Sequence, residues 1–108
     1  MSAPTLATPR PRRHTQSYDE AVTALQAILL RGLKSVRREH FPSRKAFARH
    51  LKLPVQSVIN IERGHRKLRA AELLVYAFAM NKAPQWVLQE ILRRFETEIG
   101  QWRKESGY

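Results

Sequence analysis

The residues whose chemistry is most suggestive lie between Ser43 and Gly64, in the sequence SRKAFARHLKLPVQSVINIERG. The pattern predicts two short helices joined by a tight turn, with polar side chains facing outward on the second helix. Residues 31–69 carry twelve Lys or Arg and two acids, which is +10 of the chain's net charge of +11. Such a surface suits a polyanion, and a helix pair of this size suits the major groove of DNA. An acidic membrane surface and an acidic protein rank behind nucleic acid as partners.

No set of residues has the spacing of a catalytic or metal site. The histidines at positions 14, 40, 50 and 65 lack the paired spacing of metal ligands, and the sequence has no glycine-rich phosphate loop. The Ser and Thr residues have no partner base that would make them nucleophiles. We therefore expect a binding protein rather than an enzyme, with no cofactor and no metal.

The bulk composition predicts one folded domain in a reducing compartment. A chain of 108 residues is long enough for one hydrophobic core, and it contains no cysteine. Its longest apolar run, Leu73 to Met80, is far shorter than the about 20 residues that span a bilayer. The N-terminus has no apolar stretch typical of a secretory signal. We expect a cytoplasmic protein that does not enter the membrane.

Residues 1–16 predict a disordered basic arm. They contain three of the six prolines, show no apolar periodicity, and hold a basic cluster at positions 10, 12, 13 and 14. Such an arm is either a solvated tail or a segment that follows the backbone or minor groove of DNA.

The rest of the chain, residues 17–108, predicts five helices and no strand. Ser17 and Glu20 fit a capping box that opens a helix ending near Glu39, in which Gly32 marks either a kink or a division. The next two helices start at Ser43 and Pro54. A fourth helix, from about residue 69 to 80, is apolar nearly all round and is predicted to be the buried centre of the domain. The fifth is predicted over residues 84–104.

Together these residues resemble the Cro/C1-type (XRE-like) helix-turn-helix repressor family. The resemblance covers about residues 33–88, and the motif itself covers residues 43–64. The family's small residue in the first motif helix falls on Ala48, its buried aliphatic on Val58, and its Ile-Glu-Arg-Gly ending on residues 61–64. The resemblance implies an all-α, five-helix, lambda-repressor-like DNA-binding domain, here with extended first and last helices.

The resemblance also implies which residues would meet double-stranded DNA. The residues that match base-contacting positions are Val55, Gln56, Ser57 and Asn60. Glutamine and asparagine can each make two hydrogen bonds to adenine, and valine can touch a thymine methyl. The residues that would contact the DNA backbone are Arg44, Lys45, Arg63, His65, Arg66 and Lys67. Backbone contacts set the register, whereas base contacts choose the sequence.

Two further features follow from the same resemblance. Similar repressors pair an arginine with a glutamate inside the domain, which implies an Arg37–Glu62 ion pair with a structural role here. The family usually has glycine at the turn and a Ser or Thr cap on the second motif helix. In this chain those places hold Lys52 and Pro54. A lysine in the left-handed conformation would carry strain of about 1 kcal/mol.

The apolar stripe of the fifth predicted helix indicates an interface. Leu92, Phe95, Ile99 and Trp102 are spaced by three or four residues, and about 20 residues of helix span about 30 Å. The end of that helix is therefore expected to project beyond the domain and to serve as an interface. Through it the protein would form a two-fold homodimer that reads an inverted repeat.

The function implied is a sequence-specific, dimeric transcriptional regulator, in most such cases a repressor, in a bacterial or phage cytoplasm and on the nucleoid when bound to DNA. Three alternatives remain open. They are an antitoxin-type adaptor that binds a partner protein through its last helix, an accessory DNA-binding factor of a mobile element, and a non-specific RNA-binding protein.

Overall fold

The computed structural model describes residues 15–108, which form six α-helices and no β-strand. The helices are α1 (Tyr18–His40), α2 (Arg44–Leu51), α3 (Val55–Glu62), α4 (Ala70–Ala79), α5 (Pro84–Arg94) and α6 (Glu96–Ser106). The all-α class expected from the sequence is confirmed for these residues. No helix in this described range combines the length and the apolar character needed to cross a bilayer.

Helix α1 is the axis of the fold, and it packs on α3, α5 and α6. It opens with the expected capping box: Ser17 Oγ accepts from the Glu20 N–H at 3.1 Å, and Glu20 Oε1 accepts from the Ser17 N–H at 2.8 Å. The helix continues unbroken through Gly32. A Cβ at this position would lie 3.0 Å from Ile91 Cγ1 and nearer still to Ile91 Cγ2. Gly32 therefore marks a close approach of α1 and α5 rather than a division.

The core lies where α1 meets the helix pair and α5. Its fully buried side chains, contributed by five of the helices, are Leu33, Val36, Phe47, Val58, Ile61, Ala77 and Val87. The ring of Phe47 meets that of Tyr76 edge-on at 5.0 Å. Residues from both motif helices are thus held by α1 and α4, so the orientation of α3 is set by the core.

Helix α4 is not the buried centre predicted from its composition. Only Tyr76 and Ala77 are buried in it, while Leu74, Val75 and Phe78 are 46%, 55% and 65% exposed. Because α4 packs on α2 and α5 only, its remaining face has no covering element within residues 15–108. That prediction is therefore wrong, and the fold carries an exposed apolar face on α4.

The single helix predicted over residues 84–104 is interrupted at Phe95. Phe95 has φ −115° and ψ 23°, so α5 ends at Arg94 and α6 begins at Glu96. Arg31 lies over the Phe95 ring at 5.3 Å, and the Arg31 guanidinium pairs with Glu98. The prediction that this part of the chain projects beyond the domain is wrong, because α6 packs back on α1.

The predicted basic arm falls largely outside the described residues, which begin at Thr15. Its last two residues are held by α6. The Thr15 N–H donates to the Ser106 carbonyl at 2.9 Å, and Trp102 Nε1 donates to Gln16 Oε1 at 3.0 Å. The described residues therefore include two that the sequence assigned to the arm.

Candidate nucleic-acid interface

The turn between α2 and α3 keeps the geometry expected of a glycine although it contains lysine. Lys52 has φ 60° and ψ 39°, in the left-handed region. The N–H of Leu53 donates to the carbonyl of Ala48 at 2.9 Å, which closes the end of α2. Pro54 then occupies the cap position of α3 in an extended conformation and offers no side-chain hydrogen bond. The two departures in the sequence therefore leave the turn intact, with the strain of about 1 kcal/mol expected for lysine.

Helix α3 has one fully buried face and one open face. Val58 and Ile61 point into the core with no exposed area, whereas Val55 and Gln56 are exposed. Ser57 and Asn60 are partly exposed. Helical spacing accounts for this division, since positions three or four apart share a face. Gln56 and Asn60 thus lie on the side of α3 away from its buried anchors, whereas Val55 and Ser57 lie at the border between the two faces.

The two amide side chains on α3 are joined. Gln56 Nε2 donates to Asn60 Oδ1 at 2.9 Å. The residues are four apart, so the bond bridges one turn of the helix. The contact leaves Gln56 Oε1 as an acceptor and the Asn60 amide nitrogen as a donor. The i, i+4 spacing of Gln56 and Asn60 is the feature of the sequence from which this pairing could have been predicted.

Beneath α3 lies a buried cluster of charges. Arg37 Nε and Nη2 donate to the two carboxylate oxygens of Glu62, each at 2.7 Å, and both side chains are 1% exposed. Arg37 Nη1 also donates to the carbonyls of Phe41 and Pro42 at 2.8 and 3.2 Å. The Arg37–Glu62 pair that the resemblance implied is therefore present, and it ties the end of α1 to α3.

A second arginine joins this cluster, which the sequence did not indicate. Arg44 Nε donates to Glu62 Oε1 at 3.0 Å. The two residues are 18 positions apart, and no helical spacing relates them. Arg44 is therefore partly committed to an internal partner, while its exposed fraction of 28% keeps it at the surface.

A run of exposed basic residues follows α3 along the chain. Gly64, with φ 75°, turns the chain out of the helix into an exposed basic loop. The loop and the start of α2 together expose the basic side chains of Lys45, Arg63, His65, Arg66 and Lys67. These residues and the partly exposed Arg44 are those expected to contact a DNA backbone, and they lie on the segments that flank α3 along the chain.

Among the residues of the loop, Arg66 already has a carboxylate partner. Arg66 pairs with Glu72, which also accepts a hydrogen bond from the Arg69 N–H at 2.9 Å in the first turn of α4. The hydrogen bond from Arg66, followed by that from the Arg69 backbone, lowers the pKa of Glu72 to about 2 although partial burial opposes this. Arg66 would have to share or leave Glu72 to reach a phosphate, so it is the least available of the loop cations.

The four residues expected at a dimer interface have separate environments. Leu92 is 47% exposed, Ile99 is partly buried, and Phe95 packs against the core. Trp102 stacks on Tyr108 at 5.6 Å and is bonded to Gln16. Leu92, Ile99 and Trp102 line an apolar groove of about 470 Å³ together with Val22 and Leu25 of α1. The stripe thus remains partly accessible, but as the wall of a groove rather than as a free helix.

No family model, curated protein or solved structure matches the chain significantly.

Proposed function

We propose that the chain binds duplex DNA in a sequence-specific manner, with α3 lying in the major groove, and acts as a transcriptional regulator. The observation that carries this proposal is the division of α3 into a fully buried face and an open face of uncharged hydrogen-bonding side chains. Base edges are read by such side chains, and a helix of this kind fits the groove. The buried charge pair below α3 supports the proposal because it joins α3 to the end of α1.

The surrounding charge supports the same proposal. Residues 31–69 carry nearly the whole net charge of the chain, and the loop after α3 is basic and exposed. Phosphate contacts from these cations would supply affinity without choosing a sequence. Arg44, Lys45, Arg63, His65 and Lys67 are the available candidates. Gln56 and Asn60 would then carry most of the sequence preference, with Val55 and Ser57 beside them.

Selection of bound sequences from a pool of random duplexes tests the proposal directly. A sequence-specific regulator is expected to enrich one motif, and enrichment of an inverted repeat would indicate binding by two copies. Retention of unrelated RNA and random duplexes with equal affinity would instead support non-specific nucleic-acid binding. The absence of any retained duplex at low salt would reject DNA binding.

Gln56→Ala is expected to weaken binding to the selected site by about 1–3 kcal/mol and to relax the preference at the base pair that Gln56 contacts. The loss arises because a bidentate contact to one base is removed while the backbone contacts remain. The measurement is the affinity for the selected site and for each single-base variant of it. Lys67→Ala is the matched control, because an exposed phosphate-binding cation should weaken all sequences equally. A uniform loss with Gln56→Ala would contradict its role in reading bases.

We further propose that two copies bind together through the groove formed by α1, α5 and α6. Leu92 is its most exposed large apolar side chain on α5, and Ile99 and Trp102 continue the wall. Apolar grooves of this kind on a small domain mark interfaces. To read an inverted repeat, a two-fold pairing would have to set two copies of α3 about 34 Å apart, one helical turn of DNA.

Leu92→Asp is expected to convert a dimer into a monomer, because it places a carboxylate in the apolar contact. Sedimentation at several concentrations measures the mass, and binding to single and paired half-sites measures the loss of joint binding. Phe78→Asp on the exposed face of α4 is the matched control and should leave the dimer intact. Dissociation by Phe78→Asp but not by Leu92→Asp would move the interface to α4.

The exposed face of α4 favours a second candidate function, an adaptor that also binds a partner protein. Leu74, Val75 and Phe78 form an apolar stripe which neither the core nor the α3 surface uses. Exposed stripes of this kind mark protein contacts more often than they remain free. Stable co-purification of one protein that is lost in Phe78→Asp, with DNA affinity unchanged, would favour the adaptor over a stand-alone regulator.

A further inference from the structure

Glu62 is shared unequally by two arginines. Arg37 takes both carboxylate oxygens from inside the domain, and Arg44 takes Oε1 from the surface through its Nε at 3.0 Å. The side chains of Arg37 and Glu62 are 1% exposed, whereas that of Arg44 is 28% exposed. Of these three side chains, that of Arg44 is therefore the one open to a ligand.

The uncompensated positive charge of the cluster lies on its most exposed side chain, that of Arg44. Two guanidiniums and one carboxylate leave a net charge of +1, and Arg37 is neutralised where it is buried. The terminal nitrogens of Arg44 make no hydrogen bond within residues 15–108. Arginine has five N–H donors in a planar fork, and only the Nε–H is used by Glu62. Four donors therefore remain for an anion.

We propose that Glu62 is a positioning residue that acts through Arg44 to form a phosphate-binding site at the start of α2. The inference rests on the proposed DNA binding and names how one backbone contact is built. Holding Nε in place reduces the rotamer freedom that a free surface arginine would lose on binding. The fork then offers two parallel hydrogen bonds to one phosphate. The positive end of the α2 dipole lies at the same residue and favours the anion further.

The test measures binding of the full chain to a random-sequence duplex at low salt, using Glu62→Gln in two backgrounds. Glu62→Gln is expected to weaken binding about tenfold in the presence of Arg44, as loss of one well-placed charged hydrogen bond would. In an Arg44→Ala background it should change the affinity little. Net charge alone predicts the reverse, because Glu62→Gln makes the protein more positive and should tighten its binding to DNA. Damage to the fold predicts a third pattern, an equal loss in both backgrounds.

Lys45 supplies the matched control, since it follows Arg44 directly in the first turn of α2, is exposed, and has no bond to Glu62. The losses of binding free energy caused by Lys45→Ala and by Glu62→Gln should therefore be additive. Arg44→Lys should bind more weakly than the wild type although it keeps the positive charge, because one ammonium cannot bond to the carboxylate and present a planar fork at the same time. If the Glu62→Gln protein shows no melting transition in circular dichroism, and so does not fold, the affinity of Arg44→Lys tests the inference in its place.

Wild-type affinity in Glu62→Gln, or full affinity in Arg44→Lys, would overturn the inference while leaving the proposed DNA binding in place. Equal losses from Glu62→Gln with and without Arg44 would also overturn it. Failure of the wild-type chain to bind any duplex would overturn both proposals together. The slope of the logarithm of affinity against the logarithm of salt adds an independent readout, since loss of one phosphate contact should reduce it by about 1.

Discussion

Replacing Arg37 with alanine is expected to lower the free energy of unfolding by about 3–5 kcal/mol. The side chain is 1% exposed and bonds to both oxygens of Glu62. Its removal leaves a buried carboxylate with Arg44 as its remaining ionic partner. The carbonyls of Phe41 and Pro42 also lose their donor. Circular dichroism on heating should show a fall in melting temperature of more than about 10 °C.

Two comparisons separate this loss from a general effect of removing arginine. Arg93→Ala is the surface control, because Arg93 pairs with Glu90 while 66% exposed, and it should leave the melting temperature unchanged. The double substitution Arg37→Met with Glu62→Leu should recover most of the stability, since apolar pairs can replace buried ion pairs. An Arg37→Ala protein as stable as the wild type would show that water or Arg44 satisfies Glu62 fully.

Gly32→Ala is expected to destabilise the fold by about 1–3 kcal/mol, although alanine is the better helix former. The new Cβ would lie 3.0 Å from Ile91 Cγ1 and 3.1 Å from Ile91 Cβ. These atoms are close to the α5 backbone, so rotation of a flexible end cannot relieve the clash. Helices α1 and α5 would have to move apart around a fully packed core. Denaturant unfolding measures the change.

Gly100→Ala provides the opposite case in the same molecule. Gly100 lies within α6, and a Cβ there would meet no atom within 4 Å. Gly100→Ala should therefore stabilise the protein by about 0.5–1 kcal/mol through helix propensity alone. Adding Ile91→Ala to Gly32→Ala should relieve the clash and let the two helices approach again. The gain in stability is reduced by the loss of the buried isoleucine side chain. Equal, stabilising effects at Gly32 and Gly100 would contradict the close packing of α1 on α5.

The beginnings and ends of several helices could be predicted because their signals are local. Ser17 with Glu20 and Ser43 form the expected caps, Pro84 occupies the first turn of α5, and Gly64 has positive φ. Each depends on residues within four positions along the chain. The burial of Val58, which the resemblance implied, is also confirmed.

The exposure of α4 could not be predicted from its composition. A helix that is apolar all round is usually buried, but burial also requires another element to cover each face. Here α2 and α5 cover the side of Tyr76 and Ala77, and no described element reaches Phe78. An apolar composition shows that burial of the helix would be favourable. Whether other helices cover it depends on the topology of the whole fold.

The break at Phe95 has a similar cause. The residues around it include no proline or glycine before Gly100, so no local helix breaker marks the interruption. The contacts at this point are long-range: Arg31 lies over the Phe95 ring, and Gln16 bonds to Trp102. The extra partner of Glu62 was hidden in the same way, because Arg44 reaches it only after α2 and α3 have packed together.

The bond between Gln56 and Asn60 has a consequence for how target sites should be described. Because each amide constrains the other, a base that reorients Gln56 also changes what Asn60 can offer. On the proposed function, preferences at two neighbouring base pairs would be correlated rather than independent. A table that scores every position of the site separately would then rank some sequences wrongly. The unit of recognition in this protein would be a dinucleotide step.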